Sequence, residues 1–241
     1  IDVYKEQISY LAEAGVDLLV VETMMSLQET RAALIAAKEV CDLPVMATMT
    51  FESDGRTLYG TDAVTAAVVL ESLGADAVGT NCSAGPDKMV EIIRQMAGAV
   101  RVPIIAKPNA GLPSLDKDGN TVYDMEPDAF GASMKGLVEA GASIVGGCCG
   151  TTPDHIRALR DAVGSVTLPI RQTSGKRFLT SERQTISFGL EDPFILVGER
   201  INPTGKKKFK QALKDHDLDY ILKEGILQEE NGAHILDVNV G

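Results

Sequence analysis

The chain has 241 residues, 44% of them hydrophobic, and a formal net charge of −11. That is enough apolar material for one large core or two smaller ones, and the acidic balance argues against a nucleic-acid or anionic-membrane partner. Its four cysteines, Cys41, Cys82, Cys148 and Cys149, show no disulfide framework, and with no signal peptide or bilayer-spanning run the expected compartment is the cytoplasm.

Helical and strand patterns alternate along the chain. Apolar spacing predicts a helix over 3–14, a strand over 17–21, a helix over 27–40 and a strand over 44–51. A helix over 63–73, a strand over 75–80, a helix over 87–97 and a strand over 102–107 follow. The series ends with a helix over 127–140, a strand over 143–145 and a helix over 153–163. The chain opens without methionine, already inside its first helix, which reads as a fragment of a longer protein. Ala14-Gly15-Val16-Asp17, Leu73-Gly74-Ala75-Asp76 and Ala140-Gly141-Ala142-Ser143 are one joint used three times. In each, a glycine just past a helix end leads into a buried strand. Such alternation means a parallel sheet with right-handed crossovers. A doubly wound sheet and a (β/α)8 barrel both fit the repeat.

The stretch 165–193 breaks the rhythm and is expected to be a linker. A strand over 194–197, a helix over 206–231 and a strand over 235–240 then open a second α/β domain. The expected division is 1–164, 165–193 and 194–241.

The polar residues choose between the two folds. Glu22, residues 48–50, Asn81-Cys82, Asn109 and Cys148-Cys149 all fall at the C-terminal ends of predicted strands. In a (β/α)8 barrel those ends form one ring, which is the active site. The expected fold is therefore α/β, an incomplete five-stranded (β/α)8 TIM barrel followed by the start of a second α/β barrel. A closed barrel takes eight strands and about 250 residues, so three strands are expected before Ile1. The strands at 17–21 and 143–145 should then have unpaired edges, Val20 and Ile105 should be partly wetted, and the isolated chain should be insoluble or molten.

The chemistry centres on Val145-Gly146-Gly147-Cys148-Cys149-Gly150, followed by Thr151-Thr152-Pro153-Asp154 as a helix start. Two thiols at a helix N-terminus favour the thiolate that a soft metal binds. A pair of buried cysteines packed as small hydrophobes is the other reading of this stretch. With Cys82 on a nearby strand end the set becomes three thiolates, and one open position suits a ligand that brings its own sulfur. His155 would close the site instead, or serve as a capping residue. Cys41 belongs to no motif. The glycines and lysine of 198–206 lack the spacing of a phosphate-binding loop, and Lys206-Lys207-Lys208 reads as a solvated helix start.

Thr80-Asn81-Cys82-Ser83-Ala84-Gly85-Pro86 and Gly146-Gly147-Cys148-Cys149-Gly150-Thr151-Thr152-Pro153 resemble the two zinc signatures of homocysteine S-methyltransferases. Val197-Gly198-Glu199-Arg200-Ile201-Asn202-Pro203-Thr204-Gly205 resembles the opening of pterin-binding methyltransferase barrels, and Asp237-Val238-Asn239-Val240-Gly241 their second strand. The succession of the two resembles the cobalamin-dependent methionine synthase family. The resemblance implies Cys82, Cys148 and Cys149 as ligands of Zn2+, with Glu22 receiving the homocysteine ammonium and Asn109 lining its pocket. It also implies Asn202, Asp237 and Asn239 against the pterin, methylcobalamin on a domain not present here, and methyltetrahydrofolate as co-substrate. Read by themselves, Glu22 equally fits a strand-end ion pair, Asn109 a turn residue, and the second-domain residues helix caps. A cobalamin-independent homocysteine methyltransferase and a non-catalytic zinc module are the alternative functions.

Overall fold

In a computed structural model of the protein, which describes residues 1–170 and 175–240, five parallel strands form the sheet of a first unit, Ile1–Thr185. The strands are β1 (Leu19–Met24), β2 (Val45–Met49), β3 (Ala77–Asn81), β4 (Ile104–Lys107) and, after a hairpin of β5 (Pro113–Leu115) and β6 (Thr121–Tyr123), β7 (Ile144–Val145). They lie in the order β1-β2-β3-β4-β7, in register from Leu19↔Val45 to Ala106↔Val145. Helices α1 (Asp2–Glu13), α2 (Leu27–Val40), α3 (Ala63–Ser72), α4 (Pro86–Ala99), α5 (Pro127–Glu139) and α6 (Pro153–Val163) alternate with them.

Local chemistry sets the helix ends. The Ser26 hydroxyl accepts from the Glu29 N–H at 3.3 Å to start α2, and the Asp62 carboxylate accepts from the Thr65 N–H at 2.8 Å to start α3. Proline opens α4, α5 and α6, where its missing N–H costs nothing. The three repeated joints turn on Gly15, Gly74 and Gly141, with φ of 80°, 86° and 116°. Leu34, Leu70, Met96, Ile104, Phe130 and Met134 are fully buried in the helix-facing core.

The sheet is open, with β1 and β7 at its edges. Val20 on β1 is 47% exposed, as its edge position predicts, but Ile105 is only 2% exposed. The expected wetting of Ile105 is wrong because β4 is an interior strand, where Ile105 pairs with Gly79 on one side and Ile144 on the other.

Other boundaries shift for identifiable reasons. The β5–β6 hairpin escapes a periodicity reading because it is short, starts on proline and is largely exposed. The stretch expected as a linker carries two short strands, β8 (Arg177–Thr180) and β9 (Thr185–Phe188). Its turn is tied to the first unit: the Thr61 hydroxyl donates to the Glu182 carbonyl at 2.8 Å, and the Arg56 guanidinium to the Arg183 carbonyl at 3.2 Å. Residues 171–174 of that stretch, and Gly241 of the last motif, lie outside the described residues.

The second unit begins at Ile186. Its first strand, expected over 194–197, is β10 (Val197–Ile201), which pairs in parallel with β11 (Ile235–Val238). The single helix expected over 206–231 is two, α7 (Lys207–Lys214) and α8 (Leu218–Glu230). The break falls at His216, whose φ is 53°, and Asp217 caps α8 by accepting from the Tyr220 N–H at 3.0 Å. A left-handed residue followed by a capping carboxylate stops one helix and starts the next.

Candidate metal centre

The C-terminal ends of β3, β4 and β7 meet at one place. Cys82 follows β3 directly and Cys148-Cys149 follow β7 after Gly146-Gly147. Residues 107–110, just beyond β4, are the frame for both. The Lys107 carbonyl accepts from the Cys82 N–H at 3.1 Å and the Pro108 carbonyl from the Cys148 N–H at 2.8 Å. The Ala110 N–H donates to the Cys149 carbonyl at 2.9 Å, and the Asn109 side-chain oxygen accepts from the Cys149 N–H at 3.1 Å. Each cysteine backbone is therefore pinned by protein groups.

The three thiols converge. Cys82 Sγ lies 3.8 Å from Cys149 Sγ, Cys148 Sγ lies 3.9 Å from Cys149 Sγ, and all three fall within 4.8 Å of one another. Zinc–thiolate bonds of about 2.3 Å in a tetrahedral arrangement place sulfurs about 3.8 Å apart. The donor set therefore fits a zinc ion in both chemistry and spacing. Among the described residues this is the one group of three or more such ligands.

Its electrostatics are uneven. Burial, reinforced by the neighbouring Cys82 and Cys149 sulfurs, pushes the Cys148 thiol up to about 11, against a hydrogen bond from Asn81 that favours the thiolate. Burial also raises Cys149, but hydrogen bonds from Tyr123, Cys82 and Cys148 outweigh it and hold that thiol below its ordinary value. Tyr123 reaches the site from β6. Its ring fills the space beside Gly150, where an added Cβ would lie 2.3 Å from the ring. With a φ of 78° as well, Gly150 is the residue this contact requires.

Asn81 packs beneath the cluster with no exposed surface. Its side-chain oxygen accepts from the Thr23 N–H at 2.9 Å and the Thr48 hydroxyl at 2.6 Å. Its amino group donates to the Thr23 hydroxyl at 2.7 Å and to Cys148 Sγ at 3.7 Å. Thr23, Cys82 and Ser83 all have positive φ, of 60°, 65° and 61°.

Of the other residues singled out from the sequence, Glu22 stands at the same end of the sheet, its carboxylate closely paired with the Lys107 ammonium. Asn109 is 2% exposed and serves the Cys149 backbone. His155 is buried and completes a capping box with Thr152, whose N–H donates to its Nδ1 at 3.2 Å. Its Nε2 donates to the Met125 carbonyl at 2.8 Å, so both ring nitrogens are used and it takes no part in the thiol cluster. Cys41 sits at the end of α2 with its thiol donating to the Ala37 carbonyl at 3.5 Å. In the second unit, Asn202 follows β10, while Asp237 and Asn239 lie on and just after β11. Parallel pairing of Ile201 with Val238 puts these three at one end of the strand pair. The Asn202 amide donates to the Glu199 carboxylate at 2.6 Å and accepts from the Thr204 N–H at 2.9 Å. The strand-end reading of the sequence includes Thr48 and Asn81 in the ring, while Lys107, Tyr123 and Thr23 carry no local signal of a place in the site.

A family model described as homocysteine S-methyltransferase matches residues 1–163. Methionine synthase of Mycobacterium tuberculosis (strain ATCC 25618 / H37Rv) is 36% identical over 245 residues, covering 99% of this chain and 20% of that protein. Methionine synthase of Mycobacterium leprae (strain TN) is 34% identical over 250 residues, covering 99% of this chain and 21% of that protein. The chain thus spans about a fifth of the length of these curated relatives. Among solved structures, the homocysteine methyltransferase MmuM from Escherichia coli in its apo form aligns with a TM-score of 0.54 at 21% identity, covering 67% of this chain and 56% of that chain. The metallated form of that protein gives 0.55 at 22% identity, covering 66% and 51%. At such identity the likeness shows the fold: the first unit is an incomplete (β/α)8 barrel.

Proposed function

The chain belongs to the homocysteine S-methyltransferase family, and from that premise we propose that its first unit binds homocysteine and presents the substrate sulfur for methylation to methionine. The observation that carries the reading is the convergence of Cys82, Cys148 and Cys149, three soft donors from two strand ends. We assign the site to Zn2+. When bound there, zinc supplies the Lewis acidity that keeps a substrate thiol ionised at neutral pH.

The chain's own residues do the rest. Residues 107–110 hold the two cysteine-bearing turns in fixed register. Glu22, on the same rim, receives the substrate ammonium in place of the Lys107 ammonium it now holds. Asn109 lines the same pocket and fixes the Cys149 backbone. The methyl donor in this reading is methylcobalamin, carried on a domain outside this chain. Methyltetrahydrofolate is the methyl source at the second unit, with Asn202, Asp237 and Asn239 facing the pterin. Its support is that relatives named methionine synthase match across both units. The division into a homocysteine unit, a connecting stretch and the start of a pterin unit is part of the same proposal.

The test is zinc stoichiometry in the full protein, with X-ray absorption to count sulfur ligands. One zinc per chain with three sulfurs is expected without homocysteine, and four with it. A fourth sulfur before substrate is added, or no change on adding it, would remove the reading.

A further inference from the structure

We propose that Asn81 is a positioning residue that sets the electron donation of the Cys148 sulfur and, through the same amide, fixes the irregular end of β1 that carries Glu22. The inference rests on the metal-site reading above.

A primary amide offers two donor hydrogens and an oxygen with two lone pairs. In Asn81 all four are engaged, by Thr23 twice, by Thr48 and by Cys148. The orientation of the amide is fixed by its partners, because the Thr23 backbone N–H can only donate and must face the oxygen. The amino group is thereby forced toward Thr23 Oγ1 and Cys148 Sγ. Thr48, from the neighbouring strand β2, holds the oxygen from the other side.

Two consequences follow from one group. An N–H donated to an ionised sulfur draws charge from it, so the sulfur gives less to the metal and the metal stays the stronger Lewis acid. At Thr23 a β-branched residue occupies left-handed backbone space, which costs free energy unless its surroundings hold it there. Two hydrogen bonds with Asn81, one accepted by its oxygen and one donated by its amino group, do so on the residue immediately after Glu22.

Cobalt(II) in place of zinc makes the sulfur visible, through sulfur-to-metal charge-transfer absorption in the near ultraviolet. The test compares the cobalt-loaded full protein with its Asn81→Leu variant, which keeps the approximate shape, adds no charge and removes the N–H. At saturating cobalt, one ion per chain and a charge-transfer band moved to longer wavelength are expected. Metal affinity should fall about 10–100-fold, the usual effect of losing a group behind a ligand. Thr48→Val, which frees the amide oxygen from β2 but keeps the N–H, should give a smaller shift of the same sign. Should Asn81→Leu fail to fold, the Thr48→Val spectrum decides: a shift supports the role and superposition on the wild-type spectrum overturns it. Unmoved bands in a fully loaded Asn81→Leu protein overturn the role of Asn81 alone. Absence of charge-transfer bands from the wild-type protein overturns the metal reading and this inference together.

Discussion

Cys148 and Cys149 are neighbours in the chain, yet their thiols are displaced in opposite directions, one raised to about 11 by burial and one lowered by its hydrogen-bond donors. A cation that binds all three sulfurs must therefore offset the desolvation of Cys148 as well as the mutual repulsion of the thiolates, so every ligand matters. Replacing Cys82, Cys148 or Cys149 with Ala in the full protein should release most of the zinc on dialysis and abolish methyl transfer to homocysteine. Cys41→Ala should change neither, since that thiol only satisfies a helix carbonyl. Retained zinc in Cys82→Ala would count decisively against the assignment. The convergence of the cysteines was legible in the sequence because all three fall at strand ends on one side of a parallel sheet. The groups that tune them were not. Nothing local in Thr48, Lys107 or Tyr123 says which partner each will meet, because that depends on strand register and on a short exposed hairpin.

At the level of elements, α5 and α6 approach so closely that a Cβ on Gly131 would stand 2.7 Å from the Ala158 carbonyl carbon and oxygen. Backbone cannot yield as a flexible side chain does. Gly131→Ala should therefore destabilise the fold by about 1–3 kcal/mol, as overpacking typically does. Gly136→Ala on the same helix meets only Val90 Cγ2, at 3.6 Å, and should be neutral or stabilising by up to about 1 kcal/mol. Urea unfolding midpoints of the two variants would separate these outcomes, and equal shifts would show the helix contact to be looser than described. Asp76, in the second repeated joint, ties β2 to α2. Its carboxylate accepts from the Val45 N–H at 2.8 Å and from the Lys38 ammonium at 3.3 Å. The Val45 hydrogen bond is the chief cause holding its pKa below the usual 3.8, with Lys38 adding to it against burial. A folded-state pKa below the unfolded one means stability that is present above the unfolded value and lost as pH falls through the folded one. Asp76→Asn should lower stability at neutral pH and flatten its acid dependence below about pH 4; an unchanged acid limb in thermal unfolding would refute the assignment. The alternating series and its joints could be read because helix and strand periods differ along the chain. The α7–α8 break could not, because a single left-handed residue at His216 leaves the helical spacing on either side intact.

Across the whole molecule, the proposed function puts separate chemistries on the two units, so methyl transfer from the folate and methyl transfer to homocysteine should be separable. Asn202→Ala or Asp237→Ala should slow methyl transfer from methyltetrahydrofolate while sparing transfer from supplied methylcobalamin to homocysteine. Equal loss of both in a folded variant, assayed side by side, would contradict the division. The open sheet, with its exposed Val20, was foreseen from the strand count, while the burial of Ile105 needed the order of the strands. The frame at 107–110 also has a bearing on timing. Cys82 and Cys149 stand 67 residues apart in sequence and share that frame, so the donor set exists only once β4 is seated between β3 and β7. On the proposed assignment, metal loading is a late event of assembly, and an ion held more tightly by the native state than by the unfolded chain acts as a latch on a seam that has already formed. Withdrawing it should speed amide hydrogen exchange first where that seam runs, along the backbone from Cys82 to Ala84 and from Cys148 to Thr151.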